Sequence, residues 1–78
     1  MKNLDDMAIQ VYQNGLFIGY IKSISYKDKT FKTVSQTSVQ GYNPKFDAKG
    51  YKSQEAIMKD MTFLRTNFAS KGYTFQAG

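Results

Sequence analysis

The sequence contains no cysteine and no histidine. Without thiols there is no disulfide framework, no thiolate zinc site and no cysteine nucleophile. Without imidazole there is no Ser–His or Cys–His pair to carry acyl transfer. Tryptophan is also missing, proline occurs once, and arginine occurs once, as Arg65, among eleven basic residues. Scarce arginine weakens the case for sequence-specific base reading, which often uses the guanidinium fork. No apolar run is long enough to span a membrane. The opening Met1-Lys2-Asn3-Leu4-Asp5-Asp6 has no apolar core and does not read as a signal peptide. A small chain without disulfides reads as cytoplasmic.

What is present bounds the rest. The chain has 78 residues, enough for one domain, 1–78. A domain this short leaves much of its surface in water, and its expected stability is only about 3–5 kcal/mol. Eleven basic residues against six acids give a formal net charge of +5. That excess suits an acidic protein surface or nucleic acid, and equally a solvated lysine-rich surface. Six tyrosines and six phenylalanines make the chain rich in aromatics.

The apolar pattern predicts an α+β fold. Met7, Ile9 and Val11 alternate on one side of a first strand. Asn14-Gly15 follows, a pair that tolerates positive φ at both positions and signals a hairpin. Leu16 to Tyr26 reads as a second strand whose parity shifts: Phe17, Gly19 and Ile21 on one side, Ile18, Tyr20 and Ile24 on the other. Either a bulge near Gly19 or Ser23 reconciles the two, or both faces are covered. Lys27-Asp28-Lys29 reads as a turn, and Thr30 to Thr37 as a third strand. Gly41, Pro44 and Gly50 interrupt the next stretch, with a short strand expected near Ser38 to Tyr42. Ser53 then caps a helix over about 53–69. Ile57, Met61, Leu64 and Phe68 share its apolar stripe, and Glu55, Lys59, Thr62 and Thr66 lie opposite. Phe63 lies off the stripe, packed on a terminal strand or exposed. Gly72 is a left-handed stop, and Tyr73-Thr74-Phe75 reads as a short last strand. The predicted architecture is a small antiparallel sheet of three to four strands packed on one C-terminal helix. One face of that sheet has nothing in the chain to cover it.

Catalytic and cofactor readings fail on spacing. Asp5-Asp6 would point apart on a strand. Asp28, Asp47, Glu55 and Asp60 show no metal-loop pattern. Gly15 and Gly19 lie inside a strand pattern and do not form a phosphate cradle. The expectation is a non-catalytic protein without cofactors. The candidate binding residues are Tyr20, Lys22, Tyr26 and Lys32 on the uncovered face, with Tyr12 nearby. Tyrosines among lysines suit a partly wet interface with a protein or nucleic acid, or ordinary cross-strand packing. A second candidate set is the loop Tyr42, Lys45 and Phe46 around Pro44. These aromatics either insert into a partner or fold back on the core.

The segment Ala48-Lys49-Gly50-Tyr51-Lys52-Ser53, then Ala56, Asp60 and Phe63-Leu64, then Gly72-Tyr73-Thr74-Phe75, resembles small proteins of phages and prophages of low-GC Gram-positive bacteria. Asn14-Gly15 followed by Phe17-Ile18-Gly19-Tyr20 is similar to them too. The resemblance implies an accessory protein in the host cytoplasm. It would bind a host protein or a protein–nucleic-acid complex, as an inhibitor of a defence or regulatory machine. A looser likeness is topological. Three strands and a helix resemble plant AP2-type domains and the arm-binding domains of phage integrases, which lay a sheet into the DNA major groove. This chain departs from their arginine- and tryptophan-rich pattern, leaving backbone-directed nucleic-acid binding as the alternative. A homo-oligomer that buries the open face against a second copy is the third reading.

Overall fold

A computed structural model of the chain describes residues 7–35 and 44–78. Four strands form one antiparallel sheet: β1 (Ile9–Gln13), β2 (Leu16–Ser25), β3 (Thr30–Val34) and β4 (Tyr73–Ala77), in the order β3-β2-β1-β4. The helix α1 (Gln54–Phe68) packs on one face, as the sequence predicts. The strand expected near Ser38 to Tyr42 lies outside the described residues. The expected C-terminal strand is present and pairs along β1 from Ile9↔Ala77 to Gln13↔Tyr73.

Three isoleucines determine the shape of β2. Ile18, Ile21 and Ile24 recur every third residue, whereas a regular strand alternates every second. The register shifts once between Tyr12↔Phe17 and Val11↔Gly19, and again between Ile21↔Thr33 and Ser23↔Lys32. Each shift admits one extra residue, so all three isoleucines turn toward the core. The bulged sheet curls around the helix. Phe31 of β3 reaches Phe75 of β4, ring centroids 5.9 Å apart, although β2 and β1 lie between those strands. Phe31 also meets Phe68 at 4.8 Å and Tyr73 at 5.4 Å, edge to face.

Past Gln10↔Tyr20, β1 and β2 diverge. The segment Lys49-Gly50-Tyr51 fills the gap. The Lys49 N–H donates to the Ile21 carbonyl at 2.9 Å. Tyr51 exchanges two backbone hydrogen bonds with Met7, at 3.0 and 2.7 Å. The wedge satisfies backbone groups on both strands where the sheet opens.

The helix follows from its sequence. Ser53 is extended at φ −141°, and its Oγ accepts the Ala56 N–H at 3.2 Å. Ile57, Met61, Leu64 and Phe68 are buried against Ile9, Val11, Ile21 and Phe75. Gly72, at φ 87°, redirects the chain into β4, and its carbonyl accepts the Asn14 N–H at 2.9 Å. Asn14 and Gly15, at φ 53° and 85°, stand between β1 and β2, where Gln13 faces Leu16. Among the described residues no helix is long and apolar enough to cross a membrane.

Two glycines with positive φ have different surroundings. A Cβ on Gly15 would meet nothing within 4 Å, whereas on Gly19 it would lie 2.6 Å from the Val34 carbonyl oxygen. Gly19 also has φ 146°. Gly15→Ala therefore incurs only the left-handed penalty, about 1 kcal/mol. Gly19→Ala pushes β3 off β2 as well and costs about 3 kcal/mol. Urea unfolding of the two variants checks this: equal losses would show that the close β2–β3 approach at Gly19 is not maintained.

Candidate functional site

Side chains alternate across a strand, so cross-strand partners share a face. Ile9, Val11, Ile21 and Phe75 face the helix. Register places the opposite set on the outer face: Gln10 beside Tyr20, Tyr20 beside Val34, and Tyr12 beside Phe17. Tyr12 and Tyr20 each make an edge-to-face contact with Phe17, at 5.4 Å in both cases. The Tyr12 hydroxyl donates to Gln10 Oε1 at 3.1 Å. Phe17 remains 46% exposed in the middle of this row, and Leu16 beside it is 72% exposed. Lys32 lies two residues along β3 from Val34, opposite Ser23. Lys22, the extra residue of the second bulge, is exposed. The four strands carry no aspartate or glutamate; Lys22 and Lys32 are their charged residues.

Tyr20, Lys22 and Lys32 thus lie on or beside the outer face, as the sequence suggests. Tyr26 does not. It follows the end of β2, its ring meets Phe63 at 4.4 Å, and its hydroxyl donates to Asp60 on α1. The extra residue at Lys22 is the reason, because a one-residue slip moves every later side chain to the other face. Phe63 accordingly packs on Tyr26, where a contact with the terminal strand or exposure was expected. Lys45 and Phe46 belong to a 3-10 helix, Pro44–Asp47, that lies against β2 and β3. The Lys45 carbonyl accepts the Ala48 N–H at 3.3 Å. Tyr42 lies outside the described residues. Phe17, absent from the expected set, is the middle ring of the row. Pairing it with Tyr12 requires knowing where the first bulge falls.

A second arrangement sits on the helix side. Asp60 is 5% exposed and lies within the apolar stripe, three residues from Ile57 and four from Leu64. Tyr26 donates to its Oδ1, and Tyr51 to its Oδ2. Lys49 Nζ reaches Oδ2 at 2.8 Å and lies 5.1 Å from the Tyr51 ring centroid. Burial opposes the Asp60 charge, but hydrogen bonds from Lys49, Tyr26 and Tyr51, with the lysine's charge, hold the carboxyl below its ordinary value. Burial, then the hydrogen bond and charge of Asp60, push the Tyr26 phenol up to about 12. The same causes hold Tyr51 well above its ordinary value. A carboxylate holding two neutral phenols and one ammonium has its hydrogen-bonding capacity largely taken. Its evident effect is to tie three segments together.

No family model, no curated protein and no solved structure matches this chain.

Asp60→Asn should lower stability at neutral pH by about 2–4 kcal/mol, since it removes the charge that three donors share. The pH dependence follows from the direction of each shift. The contribution of Asp60 is full above the ordinary carboxyl value of 3.8 and is lost as pH falls through its lower folded value. That of Tyr26 is full below 10.0 and is lost as pH rises through about 12. Urea unfolding should therefore show the gap between wild type and Asp60→Asn holding near neutral pH and closing as pH falls below 3.8 into acid. A gap that stays constant from neutral pH into acid would refute the charged latch.

Proposed function

We propose that this chain is a non-catalytic binding domain of phage accessory type, working in the cytoplasm of a host cell. Its binding surface is the outer face of the sheet. The reading rests on one observation. Strands without a single acid place Phe17 in contact with both Tyr12 and Tyr20 on the face away from the helix, with Phe17 46% exposed. Scattered apolar residues on a surface are ordinary, but a contiguous aromatic row has the composition of an interface centre. Tyrosine and phenylalanine lose few rotamers on contact, so they act as anchors. Gln10 and Lys32 supply polar groups on the same face, and Lys22 extends them. A host protein or a protein–nucleic-acid complex, held at this face, is the partner this reading calls for.

The test uses tagged wild type, Phe17→Ser and Tyr20→Ala in host-type lysate, with and without nuclease. Both variants should keep an unfolding free energy, read from urea titration, within about 1 kcal/mol of wild type, because the core lies on the other face. Both should lose the species that wild type captures, while Lys59→Ser on the exposed side of α1 keeps it. If all three variants capture what wild type captures, the outer face is not the binding surface.

A further inference from the structure

The chemistry of the outer face narrows the partner further, on the reading that this face is the one that binds. We infer that it takes single-stranded nucleic acid, with bases laid on the Tyr12–Phe17–Tyr20 row and the phosphate backbone running toward Lys32 and Lys22.

Four observations point the same way. First, the rings step across two adjacent strands at 5.4 Å intervals, each tilted edge to face on the next, with Phe17 46% exposed between the tyrosines. Base stacking needs an exposed ring face and tolerates any base, because every base has a π-surface. Second, the charge is one-sided. The strands present Lys22 and Lys32 and no acid. A protein partner usually offers both signs of charge, whereas a nucleic-acid strand offers only phosphates to these lysines. Third, neutral hydrogen-bonding side chains share the surface with apolar Val34 and Leu16: Gln10 lies next to Tyr20, and Ser23 opposite Lys32. Such groups meet base edges and sugars without charge. Fourth, the single arginine is committed elsewhere: Arg65 Nη2 donates to the Phe75 carbonyl at 3.2 Å. The face therefore has no guanidinium for bidentate reading in a major groove. A duplex also keeps its base faces inside the stack, where rings on a sheet cannot reach them. Single strands leave those faces free.

The geometry implies little sequence discrimination. Stacking sets affinity, and two lysines set a modest salt dependence. Each phosphate neutralised on a single strand changes the slope of log K against log salt by about 0.7.

Fluorescence anisotropy tests the inference with labelled oligo(dT) and oligo(U) of about fifteen nucleotides and a duplex of the same length. Both single strands should bind more tightly than the duplex at low salt. Phe17→Ala and Tyr20→Ala should each weaken binding about tenfold or more. Lys32→Gln should lower the salt slope by about 0.7. Urea midpoints of the same samples confirm that the variants are folded, and Phe17, the more exposed of the two rings, carries the test if Tyr20→Ala unfolds. Absence of single-strand binding at low salt overturns the inference. Nuclease-resistant capture of a protein that depends on Phe17 would then leave the outer-face reading standing. Oligonucleotide binding that both ring variants retain, but Lys52→Gln or Lys59→Gln on the helix side removes, overturns the inference and that reading together.

Discussion

The fold depends on one buried charge. Asp60 stands in the apolar stripe of α1, where an unpaired carboxylate would cost several kcal/mol. It is tolerated because three donors converge on it from two other parts of the chain: Tyr26 after β2, and Lys49 and Tyr51 in the wedge. Hydrophobic contacts alone would let a helix rotate or slide on a sheet with modest loss, since apolar side chains repack. A charge with directional partners does not allow that. Asp60 fixes the rotation of α1, the path of the turn after β2, and the position of the wedge at once. The lysine head remains partly in water, at 42% side-chain exposure, so the pair avoids the full cost of burying two charges.

The bulges in β2 make this convergence feasible. The second bulge turns Tyr26 toward α1, where an unbroken alternation would send it outward. The strand divergence beyond Gln10 and Tyr20 opens the gap that Lys49-Gly50-Tyr51 occupies. The same segment that repairs the sheet backbone therefore delivers two of the three donors to Asp60. Curvature has a further effect. It brings Phe31 from one edge strand to Phe68, Tyr73 and Phe75, closing the core of a small domain with aromatic contacts. The inner face is thereby filled, and the outer rings take no part in that cluster.

Local signals were legible in the sequence, and non-local ones were not. The helix stripe, the Ser53 cap and the Gly72 stop each rest on residues within a turn or two of one another. The spacing of Asp60 from Ile57 and Leu64 also places it on the buried side, and that clue was available. Its meaning was hidden because the donors lie 34, 11 and 9 residues away. On the second strand the shift in parity was visible, but the residue that absorbs it was not. Until the extra residues are placed, Tyr20 and Tyr26 have the same parity and Phe17 has no partner. Two register shifts change both conclusions: Tyr26 moves to the helix side, and Phe17 becomes the centre of the outer row.

The division of aromatics between the two faces bears on what the domain is for. Phe31, Phe68, Tyr73 and Phe75 are packed around the helix, where burial rewards them at roughly 25 cal/mol per Å². Phe17 at 46% exposure and Leu16 at 72% return little of that to the fold. Exposed apolar residues on a sheet carry a hazard, since they invite association with other chains. Short edge strands of five residues, β3 and β4, reduce the hazard but leave the face itself apolar at its centre. Ring contacts with Tyr12 and Tyr20 return some stability to Phe17 on the side away from the helix, but burial of its own surface returns little. The absence of acids from every strand points in the same direction. A sheet kept soluble by charge alone would carry both signs, and this one carries lysine only. Rings in contact and charge of one sign are what the proposed anionic, planar partner would need.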